Sequence, residues 1–366
     1  MNPLLQIKQS GQSIWLDNLS RTLIREGGLQ RLIDQDGVSG VTSNPAIFFK
    51  AISESPYYRD ELAQLRAQKL TPEQRYETLV VPDIQAACNL LKPEFDKSSG
   101  RDGYVSLEVS PALAHDAAGT VAAGLRLKAA VNRANLLIKV PATPAGLSAI
   151  EQLIAQGCSV NVTLMFSLDH VAGVANAYIR GLHRFASGGG DVTRVKSVAS
   201  LFLSRVDTLV DKLLDAIGGD ALALRGKAGV ALAKLAYQAC QNTFHGTDFA
   251  ALAAKGAMPQ FMLWASTGTK NTAYSDVMYV EPLIGAETIN TLPDGTLAAF
   301  RDHGKAASTV GNDAQAARDH YAALATAGID MHKVGEQLQT EGVTLFVQAF
   351  DQLLLLTADA KQAVKA

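Results

Sequence analysis

The chain has 366 residues, 48% hydrophobic and 19% charged, with a formal net charge of −2. That length supports a large core and fits either two average domains or one α/β barrel. The near-neutral balance argues against general nucleic-acid binding, which needs a basic face, but leaves room for a few local cations.

In chain order, the N-terminal MNPLLQIKQSGQ lacks the long apolar core of a signal peptide. Eight short β-rich segments follow: 14-IWLD-17, 38-VSGVTSN-44, 104-YVSLE-108, 135-NLLIKV-140, 159-SVNVTLMF-166, 195-VKSVASLF-202, 260-QFMLWA-265 and 277-VMYVEP-282. Alanine- and leucine-rich stretches with helical spacing separate most of them, which predicts βα units and a parallel sheet. After the fourth segment Thr143 is a candidate N-cap, Pro144 the first helical residue and Gly157 the closing glycine. Extra helical patterns fill 60–68, 73–91 and 206–217, and 187-SGGGD-191 reads as a surface loop. The gap 266–276 barely reaches the length a parallel crossover needs, and from about 285 the chain reads as helical throughout. The apolar run 344-TLFVQAFDQLLLLTA-358 is short and interrupted by Asp351, so it predicts a packed helix, not a membrane span.

This series fits a single (β/α)8 TIM barrel over residues 1–366, with its core at about 12–300 and C-terminal helices at about 301–366. An open doubly wound sheet is the second architecture it fits. Cys88, Cys158 and Cys240 are far apart and form no C-x-x-C, consistent with a reducing, cytoplasmic compartment. The oligomeric state is left open, with the tail from 330 to 356 able either to cap the barrel or to form a homo-oligomer surface.

Side chains i and i+2 of a strand share a face. Thr42 with Asn44, Ser106 with Glu108, Asn161 with Thr163, and Ser200 with Phe202 are such pairs near C-terminal strand ends, joined by Asp17 and Lys139. Singly, each reads as a turn former, a cap or an edge residue. Together they converge on the rim where barrel enzymes work and suggest a polar pocket around an amine. A lysine among apolar neighbours loses hydration, which favours its free amine, a nucleophile that forms Schiff bases with carbonyls. The protonated imine is an electron sink for breaking or making a C–C bond. Asp17 and Glu108 suit the accompanying proton transfers, and Asn44, Asn161, Thr163 and Ser200 suit a polyhydroxy substrate. The seven histidines form no H-x-H or H-x-x-x-H pair, so no metal is expected, and no nucleotide-binding glycine motif is present.

The segments 15-WLDNLSR-21, 40-GVTSNPAIF-48, 106-SLEVSP-111, 136-LLIKVPAT-143, 160-VNVTLMFS-167 and 200-SLFLSR-205 resemble successive signatures of the transaldolases. The likeness runs from about residue 12 to beyond 280 and is nearest the longer bacterial form, also found fused ahead of a glucose-phosphate isomerase domain. The resemblance implies that Lys139 is the Schiff-base lysine and Asp17 the acid/base in C–C cleavage. It implies that Glu108 and Thr163 hold the catalytic water, and that Asn44 and Asn161 bind the dihydroxyacetone part. Ser200 would bind a substrate hydroxyl, Phe202 line the site and Arg205 bind phosphate. The short family form carries a second phosphate arginine after the seventh strand. Here that turn reads 265-ASTGTKN-271, so Lys270 is expected to replace it, helped by Ser266, Thr267 and the backbone at Gly268. The implied substrates are sugar phosphates, with no cofactor, nucleic acid or membrane partner. A fructose-6-phosphate aldolase is the near alternative, although that shorter group typically has tyrosine where Glu108 stands. A barrel that only binds sugar phosphate is the remote one.

Overall fold

The computed structural model describes residues 2–358, so Met1 and the end of the expected C-terminal helical region, 359–366, lie outside it. Eight parallel strands close into one barrel in sequence order. They are β1 (Gln12–Leu16), β2 (Val38–Val41), β3 (Val105–Glu108), β4 (Leu136–Pro141), β5 (Val160–Met165), β6 (Ser197–Phe202), β7 (Phe261–Ala265) and β8 (Thr288–Leu292). β1 and β8 pair from Gln12↔Thr288 to Leu16↔Leu292, which removes both sheet edges and rules out the open doubly wound sheet. Apolar strand residues are buried on both faces, inside the barrel and under the surrounding helices.

The first seven strands match the expected segments. The eighth does not. Residues 277–282 form a turn leading into a 3-10 helix at Glu281–Leu283, and the strand is 288-TINTL-292, within the region read as helical. The apolar character of 277–282 has another cause. Val277, Tyr279 and Val280 are buried in the β7–β8 crossover. The Tyr279 hydroxyl donates to Asp207 Oδ2 at 2.8 Å, and Asn290 Nδ2 donates to the Tyr279 carbonyl at 3.0 Å. With β8 moved to 288, the crossover reaches the length parallel pairing demands.

Local signals place the helices that follow the strands. Asn44 caps the helix Pro45–Glu54, its side chain accepting from Ile47 N at 3.0 Å, with Pro45 at the first helical position. Thr143 does the same for Pro144–Ile154 through Gly146 N. Gly157, at φ +67°, ends that helix, and Cys158 N then donates back to the Leu153 carbonyl at 3.0 Å. The last described helix, Met331–Thr357, lies against the barrel and buries Gly335, Gln339, Gly342, Phe346 and Phe350 along one stripe. Among the described residues no helix is long and apolar enough to cross a membrane.

Candidate active site

The strand register sets the centre. Glu108 of β3 lies opposite Lys139 of β4, and Lys139 lies opposite Asn161 of β5. Opposed residues on neighbouring strands share a face, so these three side chains are forced together. Lys139 is 5% exposed. Its Nζ donates to the Ser43 carbonyl at 3.1 Å and lies 3.7 Å from Glu108 Oε2. Burial pushes the Glu108 carboxyl up to about 7, and the Lys139 charge only partly offsets this. Glu108 Oε2 and Thr163 Oγ1 have no hydrogen-bond partner among the described residues. Both atoms therefore keep bonding capacity for a ligand.

Asp17 directly follows β1, and its backbone N–H donates to the Leu292 carbonyl at 2.9 Å. Thr42 Oγ1 donates to Asp17 Oδ1 at 2.7 Å. A hydroxyl has one proton, so Thr291 Oγ1, also 2.7 Å from Thr42 Oγ1, must donate to it. The result is a chain Thr291→Thr42→Asp17. Burial raises the Asp17 pKa above its ordinary value, against the opposing pull of Lys139 and the Thr42 hydrogen bond. In the barrel interior Ser200 Oγ donates to Asn161 Oδ1 at 2.7 Å, and Asn161 Nδ2 donates to Ser106 Oγ at 2.9 Å. These bonds hold the plane of the Asn161 amide between the two serines.

A cavity of about 190 Å³ opens over this centre. Asp17, Thr42, Asn44, Lys139, Thr163, Ser200, Phe202, Arg205, Ser266 and Lys270 all line it. Of the expected site residues, Glu108, Asn161 and Thr267 lie behind the lining: the first two are joined to it by the register and contacts above, and the buried Thr267 hydroxyl donates to the Thr291 carbonyl at 2.9 Å. Arg205 is half-buried and its guanidinium lies 5.7 Å from the Phe202 ring centroid, while Lys270 is exposed at the rim. Ser266 stands at φ +54° with its hydroxyl 2.8 Å from that of Ser204. Five lining residues were not expected, of which Ala46 and Ala265 add only small apolar surface. Thr291 belongs to the strand that the sequence reading misplaced. Pro293 follows it. Phe346 comes from the C-terminal helix, and only folding brings it to the mouth.

A buried amine beside two carboxylates, in a closed barrel under a cavity of a few hydroxyl-sized groups, defines an enzyme built for carbonyl chemistry. The family model for transaldolase/fructose-6-phosphate aldolase matches residues 14–357. A transaldolase of Thiobacillus denitrificans is 55% identical over 97% of this chain and 99% of its own length. One of Neisseria gonorrhoeae is 48% identical over 97% and 99%, and one of Mycolicibacterium smegmatis 45% over 100% and 99%. The chain belongs to the transaldolase/fructose-6-phosphate aldolase family. It is an enzyme of the transferase class.

Proposed function

We propose that the protein moves a dihydroxyacetone unit from a ketose phosphate to an aldose phosphate through a Schiff base on Lys139. The donors are sedoheptulose 7-phosphate or fructose 6-phosphate, and the acceptors glyceraldehyde 3-phosphate or erythrose 4-phosphate. The observation that carries the reading is the buried Lys139 amine, 3.7 Å from a Glu108 carboxyl pushed up to about 7.

The amine attacks the donor ketone and forms a carbinolamine. Glu108, able to hold or release a proton near neutral pH, handles the water that leaves and later returns, with the Thr163 hydroxyl as its partner. Asp17, kept aligned by Thr42, takes the proton from the C4 hydroxyl as the C3–C4 bond breaks. The electron pair passes to the protonated imine and leaves an enamine on Lys139. Asn44, Asn161 and Ser200 hold the hydroxyls of the three-carbon unit. Arg205, with Lys270, Ser266 and the turn between them, holds the phosphate. The acceptor aldehyde then takes the enamine carbon, and the steps run in reverse.

The whole chain acts as a single barrel domain in this scheme. The cytoplasm suits it, since Cys88, Cys158 and Cys240 are buried and free. Incubation with fructose 6-phosphate, borohydride reduction and mass mapping tests the scheme. A dihydroxyacetone adduct on Lys139 is expected, and an adduct elsewhere, or none, would sink the reading. Lys139→Ala should keep the fold and lose turnover by about 1,000-fold or more, on the order of 4 kcal/mol of transition-state stabilisation.

A further inference from the structure

The enamine intermediate poses a chemical problem in a site lined mostly by polar groups. Between donor cleavage and acceptor arrival, the three-carbon unit waits on Lys139 with a nucleophilic carbon. If a proton donor reaches that carbon, it is protonated and the enamine becomes an imine. Water then attacks the imine carbon, the carbinolamine C–N bond breaks, and dihydroxyacetone leaves with its proton balance restored on the lysine. One water is consumed and the transfer is lost.

The C-terminal helix Met331–Thr357 brings Phe346 to this point. The Phe346 ring is 9% exposed, lines the cavity, and has its centroid 5.9 Å from Lys139 Nζ. The helix is locked to the two strands that carry Lys139 and Thr163. Gln339, itself buried, donates from Nε2 to the carbonyls of Ala142 and Leu164, both at 3.1 Å. Leu164 stands at φ +59°, at the break in the β5–β6 register. Its carbonyl thus accepts from Gln339 at a point where the strand ladder is interrupted.

Two glycines bring the helix this close. A Cβ at Gly335 would sit 2.6 Å from Ser167 Cβ, and one at Gly342 would sit 3.0 Å from Leu164 Cδ2. His170 adds a further tie, with Nε2 2.9 Å from Glu336 Oε1.

We propose that Phe346 is a specificity-determining residue that keeps proton donors off the waiting three-carbon unit, favouring transfer over hydrolysis. Gln339 is the positioning residue that holds it there. The inference rests on the transaldolase reading above. An apolar ring offers no proton and excludes the water that would, whereas the polar groups of the site serve the hydroxyls.

The test compares the wild-type chain with Phe346→Ala, Phe346→Leu and Gln339→Leu on fructose 6-phosphate, with and without erythrose 4-phosphate. Free dihydroxyacetone is measured against sedoheptulose 7-phosphate, and the reduced adduct is mapped in every variant. Phe346→Ala should raise the ratio of release to transfer at least tenfold, and Phe346→Leu should stay within threefold of wild type. In both, the adduct should remain on Lys139. Gln339→Leu should raise the ratio severalfold, and it decides the matter if Phe346→Ala does not fold. An unchanged ratio in Phe346→Ala, or in Gln339→Leu where that variant decides, with the adduct intact, overturns the role of Phe346 alone. No adduct in the wild-type chain overturns the transaldolase reading and this inference together.

Discussion

Lys139 has three different neighbours: the Ser43 carbonyl, the Glu108 carboxyl and the Phe346 ring. Glu108 is the most sensitive to pH. Its carboxyl rises from an unfolded value near 4.5 to about 7, because burial outweighs the attraction of Lys139. The folded chain therefore binds this proton more tightly than the unfolded chain. Its contribution to stability is full below about pH 4.5 and is lost as pH rises through about 7. Urea unfolding of wild type and Glu108→Gln at pH 5 and pH 8 measures this. The wild type should lose on the order of 2–3 kcal/mol relative to the variant between the two. Equal pH slopes would place the carboxyl outside its buried setting. Asp17, Glu108 and Lys139 were expected together because each stands at or near the C-terminal end of a strand segment, and the fold does bring them to one rim. Thr291 was not, because the alternation argument needs the correct strand.

The displacement of the eighth strand has its cause at the element scale. 277-VMYVEP-282 carries the β-branched and aromatic residues of a strand, yet Tyr279 and its neighbours are buried by tertiary packing. 288-TINTL-292 carries three polar residues, and inside the fold Thr288 Oγ1 accepts from Gln12 Nε2 while Asn290 Nδ2 donates to the Tyr279 carbonyl. β-propensity reports fit to a half-buried surface, and a buried crossover offers the same kind of surface. The C-terminal helix was legible as a helix. Its cargo was not, since Phe346 and Phe350 look like ordinary core residues until the barrel lies beneath them. The helix also makes a prediction of its own. In an isolated helix Gly335→Ala would add stability, by roughly 0.5–1 kcal/mol. Here the new methyl group meets Ser167 Cβ at 2.6 Å, inside contact distance. Gly335→Ala should instead destabilise the protein, by about 1–3 kcal/mol as overpacking does. A thermal melt reads the sign, and a higher midpoint would show that the helix has room to shift.

At the scale of the whole molecule, the field of the chain matters more than its total. The net charge is only −2, yet the Arg205 guanidinium and the Lys270 amine serve one cavity. A dianionic phosphate feels these two cations over a distance that salt controls. The screening length shrinks from about 20 Å at 0.02 M salt to about 6 Å at 0.3 M. The KM for sedoheptulose 7-phosphate should rise about two- to fivefold across that range. The KM for unphosphorylated fructose should hold nearly constant. Parallel rises for both would remove the two residues from phosphate binding. The closed barrel itself was legible from eight βα alternations, even with its last strand displaced, because closure depends on the number and order of strands more than on their bounds.

The β1–β8 pairing carries a consequence in time. Gln12 and Thr288 hydrogen-bond across 276 residues of chain. On the ribosome, at about 10 residues per second, β1 waits roughly half a minute for its second neighbour. During that wait its unpaired edge can bind other chains. Lys139 and the carboxylates emerge early, but Phe346 and the helix that shelters them arrive only after β8. The Lys139 amine is thus made well before its cover, and the nascent chain passes through an interval in which the cavity is open and the barrel unclosed.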